Sequence, residues 1–395
     1  MKVLFLTTED STFWSHRLPL ARAVKNEGAE VVIMTRAGEF LSRLEKQGFR
    51  VIPWTISRRS LNPLRELHSF LQVLWVYRLE EPDVVHHVAL KPVVYGGLAV
   101  RLRGAPPSVN TVTGLGPVFT NSSFSMRILR RLLTSALKAV FGAQNCRVVL
   151  QNEDDQRQLV NHRVTVREKT ALVQGFGVDT TNFLPLPEES SVPLVMLPAR
   201  MLWEKGVREF VAAAEQLRKK TVPARMVLVG APDLNNPGCI PEEQLRKWVD
   251  SGAVEWWGHH DNMPSVLCQA HIVCLPSYRE GFPKVLLEAG ACGRAVITTD
   301  VPGCRQAVSH EVNGLLVPPR DSKALGDAIE RLLVDPVLRQ RLAAKGRERA
   351  VKEFSCERIV GQIMHIYRGL LGEKWPWAEG TFLRGEMQGS GLVRS

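Results

Sequence analysis

The chain has 395 residues, which is long enough for two domains of ordinary size, each with its own hydrophobic core. Hydrophobic residues make up 45% of it and charged residues 23%, so the composition excludes a disordered chain. The formal net charge is +11, and residues 1–185 supply +9 of it, from 24 Lys and Arg against 15 Asp and Glu. This basic half predicts an anionic partner, which is a nucleic acid, an anionic membrane or a phosphorylated acceptor.

The sequence contains no apolar run of about 18 residues, so no transmembrane helix is expected. Met1–Leu6 is too short for the apolar region of a signal peptide and is predicted to be the first strand. The seven cysteines are scattered, with neither Cys-x-x-Cys spacing nor a Cys/His set at zinc spacing. We therefore expect a reduced, cytosolic protein without a zinc site.

Short apolar strands alternate with helical segments through the first half of the chain. Strands are predicted at Lys2–Leu6, Val31–Met34 and Val51–Trp54, a spacing typical of a parallel, Rossmann-like sheet in an α/β fold. The loop Thr7–Phe13 is expected to open at the carboxyl edge of this sheet, where ligands bind in such folds. Because the loop lacks the G-x-G-x-x-G pattern, a dinucleotide site has little support.

Later segments of the first half continue the alternation. Asp83–His86 and Ser108–Val112 have strand character, and Lys91–Gly97 opens a helix between them. The second of these strands is followed by the flexible loop Thr113–Gly116. Arg147–Asn152 is predicted to be the last strand of the first domain, with Asn152 at its carboxyl end facing a cleft.

Residues 126–141 form the clearest amphipathic helix. Apolar residues recur at three- and four-residue spacing on one face, and four cations lie opposite or at the flank: Arg127, Arg130, Arg131 and Lys138. One interpretation is an ordinary core helix with a solvated basic face. The other is a face that meets anionic headgroups or a lipid diphosphate, and Phe119 and Phe124 slightly favour it.

The segment Phe183–Ser191 is rich in Pro, Ser and acidic residues, which predicts a connection between two domains. A new strand, Leu194–Arg200, follows it and ends in a cation. Arg200 and Lys205 lie five residues apart across a turn, and such a pair can neutralise a diphosphate. The alternative is a pair of ordinary surface cations.

The second half is organised around the stretch Cys274–Gly290. The apolar run His271–Leu275 predicts a buried parallel strand, and Pro283 suits the first position of the helix that follows. The free amides at such a helix start predict a phosphate site. Glu280 lies in the turn and Glu288 within the helix, and the alternative is that both are ordinary helix charges.

The spacing of these two glutamates resembles the Glu-x7-Glu signature of the retaining GT-B glycosyltransferases of family 4. The resemblance implies that Glu280 contacts the donor sugar and Glu288 the nucleotide ribose. Arg200 and Lys205 resemble the diphosphate pair of that family, which requires no metal, and two adjacent histidines in a loop rarely chelate one alone. The resemblance also implies donor-site residues in the base-holding loop and at the helix start: Gly258, His259, His260, Gly281, Phe282, Pro283 and Lys284.

The first domain resembles narrower groups within the family. Phe13 and His16 resemble a subset with an aromatic and a His-Arg pair at this place. Thr113-Gly114 stands where many relatives place a His, which puts a His-assisted mechanism in doubt. Lys91–Gly97 together with Thr113–Gly116 resembles the branch that extends lipid-linked bacterial glycans. The acceptor-side candidates are Phe13, His16, Lys91, Thr113, Gly114 and Asn152.

The implied architecture is GT-B, with two Rossmann-like parallel-sheet domains facing across a cleft. We expect an N-terminal acceptor domain at 1–180 and a nucleotide-sugar domain at 192–354. A helix at about 355–371 is expected to pack back on the first domain, and the tail at 372–395 has no assigned role.

The predicted function is that of a retaining hexosyltransferase, with a UDP-hexose or UDP-N-acetylhexosamine as the expected donor. The basic first domain and the helix at 126–141 predict a polyprenyl-diphosphate-linked saccharide as acceptor and peripheral binding to the inner face of the plasma membrane. One rival is a GT-B sugar-nucleotide epimerase. The other is a polyanion-binding protein without enzymatic activity, whose salt-sensitive binding would not require Glu280. No nucleic-acid-binding motif is found, so no nucleic acid is expected as a partner.

Overall fold

The computed structural model describes residues 1–57, 60, 62–104, 106–115, 124–189, 192–234 and 236–375. The chain divides into two compact units. Unit 1 contains residues 1–173 and the chain from Ile359 onward, and unit 2 contains residues 174–358. Phe119, the side chain of Phe124 and the predicted tail from residue 376 lie outside the described residues.

Unit 1 contains one parallel sheet. Its strands are β1 (Lys2–Glu9), β2 (Glu30–Arg36), β3 (Arg50–Pro53), β4 (Val84–Val88), β5 (Ser108–Val112), β6 (Cys146–Leu150) and β7 (Thr170–Leu172). They lie in the order β3-β2-β1-β4-β5-β6-β7, and neighbouring strands are parallel throughout. The order reverses between β1 and β4, which is where ligands bind in doubly wound sheets.

The strands of unit 1 alternate with helices. These are α1 (Asp10–His16), α2 (Leu18–Asn26), α3 (Leu41–Lys46), α4 (Pro63–Glu80), α5 (Leu90–Arg103), α6 (Phe124–Phe141) and α7 (Glu153–Asn161). Among the starts of these helices that the structure describes, two have a side-chain cap. The Asn62 side chain accepts from the amides of Leu64 and Arg65 at the start of α4, and Asn152 accepts from the Asp155 amide at the start of α7.

Unit 2 contains the second parallel sheet. Its strands are β8 (Leu194–Pro198), β9 (Arg225–Val229), β10 (Glu255–Trp256), β11 (Ile272–Leu275), β12 (Ala295–Thr299) and β13 (Leu315–Val317). They lie in the order β10-β9-β8-β11-β12-β13. The reversal falls between β8 and β11, so the loops that leave the carboxyl ends of these two strands are neighbours.

The remaining helices follow in chain order. They are α8 (Val207–Lys219), α9 (Glu242–Asp250), α10 (Met263–Leu267), α11 (Lys284–Ala291), α12 (Cys304–Ala307), α13 (Ser322–Val334), α14 (Pro336–Phe354) and α15 (Cys356–Leu371). From Ile359 onward α15 belongs to unit 1, where Ile363 and Tyr367 are buried. The hydroxyl of Tyr367 lies 2.6 Å from Nδ1 of His86 in β4.

Both faces of the sheet in unit 1 are covered, which explains why its strands are apolar almost throughout. Leu4 and Leu6 share one hydrophobic cluster with α4 and α5, whereas Val3 and Phe5 share another with α2 and α15. Helix α6 continues the first layer over β5 and β6. Helices α4, α5 and α6 therefore form one layer, with α5 packed between the other two.

The predicted α/β architecture of two Rossmann-like domains is confirmed, but three local predictions are wrong. Strand β1 continues to Glu9 and α1 begins at Asp10, so no open loop follows the first strand. Arg147–Asn152 is not the last strand of its sheet, because β7 pairs with β6 at the edge. Pro283 is the residue before α11 rather than its first residue, since the helix begins at Lys284.

Candidate active site

The turn after β11 brings together two of the predicted catalytic residues. The Nζ atom of Lys205 lies 2.5 Å from Oε1 of Glu280, and Ser277 Oγ donates to the same oxygen at 2.7 Å. The side chains of Lys205 and Glu280 are only 17% and 12% exposed. A carboxylate can accept about four hydrogen bonds, so Glu280 retains the capacity to accept from a sugar hydroxyl.

Local backbone packing explains why these two residues meet. Lys205 ends a short 3-10 turn, Trp203–Lys205, that follows β8, and Glu280 follows the neighbouring strand β11. Gly206 has φ of +73°, and a Cβ there would collide with the carbonyl of Pro276 in the next loop. Only glycine allows this approach, which holds the two loops together.

Tyr278 anchors the loop that carries Glu280. Its amide donates to the Glu204 carbonyl at 2.9 Å, and its hydroxyl donates to Oε1 of the buried Glu209 at 2.8 Å. The guanidinium of Arg320 lies 4.6 Å from the centre of the Tyr278 ring. Burial, with a further contribution from the Glu209 carboxylate, raises the pKa of Tyr278 to about 12, so the phenol keeps its proton and donates. Sequence reasoning missed this anchor, because Glu209 lies on α8, 69 positions earlier.

The start of α11 is the place where the sequence predicts a phosphate site. Pro283 precedes the helix, whose first amides have no partner within the helix itself. Gly303 has φ of +82°, and a Cβ there would collide with the carbonyls of Glu280 and Gly281. The backbone around Gly303 therefore lies directly against the turn. The side chain of Phe282 is buried, with its ring 5.4 Å from that of Phe354, so only its backbone can contact a ligand.

A pocket of about 430 Å³ lies beside this turn, with all of its lining residues in unit 2. It is lined by Pro198, Ala199, Arg200, Val229, Gly230, Ala231, Pro232, Asp233, His259, His260, Met263, Val285 and Glu288. Arg200, His259, His260 and Glu288 were predicted from the sequence, and the pocket brings them together. Lys205 and Glu280 are not among its lining residues.

The charged side chains that line the pocket already have partners. Arg200, which is 47% exposed, pairs with Asp233 at 2.6 Å, and the Lys284 ammonium pairs with Glu288 at 2.9 Å. The Gly230 amide donates to the Gly258 carbonyl at 2.7 Å, which places the predicted base-holding loop beside the end of β9. Asp233 was not predicted, because its role depends on the fold bringing it to Arg200.

Two acceptor-side predictions in unit 1 are wrong as direct ligand contacts. Phe13 is fully buried in the core, with its ring 5.4 Å from that of Phe5, because α1 follows β1 without a loop. Asn152 is also buried, and its side chain caps α7 by accepting from the Asp155 amide at 2.8 Å and donating to Asp155 Oδ2 at 3.0 Å. Both side chains are buried within unit 1.

The other acceptor-side candidates are at least partly exposed. Lys91 Nζ donates to the carbonyls of Ser57 and Ser60, each at 2.8 Å, and pairs with Glu66 at 2.9 Å. Its ammonium therefore ties α5 to α4 and to the segment between β3 and α4. The ring of His16, at the end of α1, contacts the Thr12 carbonyl through Nδ1 at 3.1 Å. Thr113 and Gly114 directly follow β5, and Gly114 has φ of +138°.

A buried polar network in β4 was not predicted. His86 contacts Tyr367 and Thr111, and His87 contacts Tyr77 at 2.8 Å and Asn110 at 2.7 Å. Burial lowers the pKa of His87 to about 4, and burial together with the Arg17 charge holds that of His86 well below its usual value. Both rings are therefore neutral near pH 7 and act as structural hydrogen-bonding groups.

In the described ranges, no three His, Cys, Asp or Glu side chains lie close enough to hold a metal ion.

Each half of the chain matches a family model. Residues 2–145 match the model described as glycosyl transferase 4-like, and residues 192–335 match glycosyl transferases group 1.

The chain is similar over most of its length to bacterial glycosyltransferases. It is 31% identical, over 89% of this chain and 94% of the relative, to the N,N'-diacetylbacillosaminyl-diphospho-undecaprenol alpha-1,3-N-acetylgalactosaminyltransferase of Campylobacter jejuni. It is 23% identical, over 91% and 96%, to the capsular polysaccharide biosynthesis glycosyltransferase CapM of Staphylococcus aureus.

Solved structures share the fold. Sucrose-phosphate synthase from Thermosynechococcus elongatus superposes with a TM-score of 0.77 at 21% identity, over 94% of this chain and all of that one. A glycosyltransferase from Rickettsia africae also gives a TM-score of 0.77, at 18% identity, over 94% and 98%. With both family models and the long match to the Campylobacter enzyme, these similarities show that the chain belongs to the GT4-like, group 1 glycosyltransferases of the GT-B fold.

Proposed function

We propose that this glycosyltransferase moves an N-acetylhexosamine or hexose from a nucleoside-diphosphate sugar to a polyprenyl-diphosphate-linked saccharide, with retention of configuration. The observation that carries the proposal is the meeting of Lys205 and Glu280 at the carboxyl ends of neighbouring strands, beside the pocket that holds Arg200 and Glu288. This edge of a doubly wound sheet is where such folds bind nucleotides.

The donor would be held by complementary charge. A diphosphate placed against the start of α11 would meet its amides, the Arg200 guanidinium and the Lys205 ammonium. Glu288 is buried and lines the pocket, which suits a carboxylate that accepts from the ribose hydroxyls. His259 and His260 line the same pocket and would border the base.

The same cations would stabilise the reaction. In the proposed step, the bond between the anomeric carbon and the diphosphate breaks, and the departing oxygen keeps the electron pair. The acceptor hydroxyl bonds to that carbon on the same face and gives its proton to the departing diphosphate. Arg200, Lys205 and the α11 amides would stabilise the charge that develops on the leaving group, so we propose that no metal is required.

The acceptor proposal draws on the Campylobacter relative. Its name gives a diphospho-undecaprenol-linked sugar as the acceptor and N-acetylgalactosamine as the transferred sugar. We propose a UDP-activated sugar as the donor. We further propose that the enzyme works at the inner face of the plasma membrane, bound peripherally through basic unit 1, in cell-surface glycan synthesis.

A panel of UDP-, GDP- and ADP-sugars tests the donor site. We expect one of them to bind and to release its nucleoside diphosphate slowly in water, and we expect Glu280→Gln and Arg200→Ala to lose that release. The matched control is Arg246→Ala, because Arg246 pairs with Glu242 on the exposed face of α9 and does not line the pocket. Binding and turnover that are equal in all four proteins would refute the site.

A further inference from the structure

Helix α4 exposes a continuous apolar stripe. Its members are spaced by three or four residues, and their exposed fractions range from 52% to 78%: Leu64, Leu67, Leu71, Trp75 and Leu79. Because neighbours at this spacing lie on one side of a helix, the five side chains form a single ridge about four turns long.

The opposite side of α4 is already packed. Val73, Val76 and Tyr77 are buried against the sheet, and Trp54 Nε1 donates to the Ser69 carbonyl at 2.9 Å. The helix is therefore apolar on two sides, and one side has no role in the core. Soluble proteins rarely expose so large a contiguous apolar surface unless it binds a partner.

The basic and acidic residues of α4 differ in their exposure and partners. The exposed charged side chains beside the stripe are Arg65 and Arg78. The two carboxylates of the helix are satisfied away from it, since Glu66 bonds to Lys91 and Tyr95, and Glu80 bonds to Lys2 and Arg50. The next exposed carboxylate along the chain is Glu81, just after the helix ends.

Helices α5 and α6, in the same layer, also expose apolar side chains next to basic ones. At the end of α5, Leu102 is 70% exposed between the exposed Arg101 and Arg103. On α6, Leu132 is 65% exposed next to the exposed Arg131. The sequence contains no Asp or Glu from Val84 to Asn152, a stretch that includes both helices. The layer therefore presents apolar and basic residues together.

We propose that the exposed side of α4 docks on a lipid bilayer with anionic headgroups. The five apolar side chains would enter the boundary of the acyl chains, and Arg65 and Arg78 would reach the lipid phosphates. The proposal rests on the lipid-linked acceptor proposed above, and it assigns the principal contact to α4 rather than to the predicted helix at 126–141. In the described part of the chain no helix can span the bilayer, so docking would be peripheral.

Charge favours a bilayer over a second copy of the chain. In a twofold dimer through this face, two antiparallel α4 helices would place Arg65 of each copy near Arg78 of the other. Like charges at such a contact are unfavourable, whereas anionic headgroups match them. Dimerisation remains a measurable outcome of the test.

Vesicle flotation tests the proposal. Wild type, Leu71→Ser/Trp75→Ser and Arg65→Gln/Arg78→Gln are mixed with phosphatidylcholine vesicles with and without phosphatidylglycerol. The matched control is Val334→Ser/Val337→Ser, because these residues of unit 2 are also more than 70% exposed. We expect wild type and control to bind the anionic vesicles, the Leu/Trp variant to bind at least about tenfold more weakly, and each lost arginine to weaken binding about fivefold.

Two results would overturn the proposal. One is equal vesicle binding by all four proteins, and the other is a wild-type dimer in light scattering that the Leu/Trp variant lacks. Since the changed residues are exposed, melting temperatures should stay close to that of wild type. Hydrolysis of the nucleotide sugar in water is measured alongside. Loss of vesicle binding with normal hydrolysis separates the docking surface from the active site, whereas vesicle binding without any donor turnover would refute the proposed function alone.

Discussion

Removing the charge of Glu280 should have opposite effects on nucleotide binding and on sugar transfer. In the free enzyme Glu280 neutralises Lys205 through the 2.5 Å pair, and in the proposed complex it also faces the sugar. The change Glu280→Gln keeps the size of the side chain and removes the negative charge. A nucleoside diphosphate without its sugar would then meet a more positive site, whereas the intact donor would lose its carboxylate partner.

The magnitude follows from the geometry. If a phosphate oxygen approaches Lys205 from the other side at a similar distance, it lies about 5 Å from the Glu280 carboxylate, where Coulomb repulsion at an effective dielectric constant near 20 is about 3 kcal/mol. The side chains are 17% and 12% exposed, and salt screens part of this repulsion. We therefore expect a net gain of about 1 kcal/mol, or about fivefold tighter binding. Turnover should fall about 100-fold or more, because a charged contact to the reacting sugar is lost.

Calorimetric titration of the nucleoside diphosphate and initial rates with the sugar donor measure the two effects separately. Glu288→Gln is the control, because it removes the carboxylate of the adjacent pocket, which pairs with Lys284 instead of Lys205. We expect this control to weaken binding of the nucleoside diphosphate by removing the ribose contact. Equal weakening by both variants, or normal turnover of Glu280→Gln, would refute the assigned roles.

Three further predictions concern residues that hold the active-site turn in place and a buried histidine of unit 1. Tyr278→Phe removes the hydroxyl that donates to the buried Glu209, so the free energy of unfolding in urea should fall by about 1–3 kcal/mol. We also expect kcat to fall while the Kd for the nucleoside diphosphate stays the same. An unchanged kcat would show that the anchor does not position Glu280. Gly303→Ala forces a Cβ against the turn at φ +82°, so we expect about 2 kcal/mol of lost stability and loss of activity, and a stable, active variant would contradict the close packing. The pKa of His87 is about 4 when folded and near 6.5 when unfolded, so the unfolded chain binds more protons and stability falls as pH drops through this window. Between pH 7 and pH 5 the loss is about 2 kcal/mol, and urea unfolding of His87→Gln should lack that part of the pH dependence.

The second half could be interpreted from the sequence because its features are local. In a parallel sheet, a cation after one strand and a carboxylate after another lie at the same edge, and Arg200, Lys205 and Glu280 all follow the carboxyl ends of their strands. The partners that the tertiary fold supplies were missed. Glu209 reaches Tyr278, and Asp233 reaches Arg200, through packing that no local pattern encodes.

In the first half, small errors in the predicted bounds of strands and helices led to wrong roles for individual residues. The sequence predicts a loop over Thr7–Phe13, but the strand continues to Glu9 and a helix begins at Asp10. The side chain of Phe13 therefore packs into the hydrophobic core. The sequence predicts Asn152 as the last residue of its strand, but the strand ends at Leu150 and the side chain of Asn152 caps α7. The apolar stripe of α4 was also missed, because a helix with apolar residues on several sides is normally predicted to be buried.

The most direct test of the account is transfer itself. The purified enzyme is mixed with a UDP-N-acetylhexosamine and a polyprenyl-diphosphate-linked saccharide in detergent, and the lipid product is analysed by mass spectrometry and by NMR of the new glycosidic bond. We predict a mass gain of one N-acetylhexosamine with the anomeric configuration of the donor, at a rate that Glu280→Gln lowers about 100-fold or more. Inversion at the anomeric carbon, or equal product from wild type and Glu280→Gln, would contradict the account.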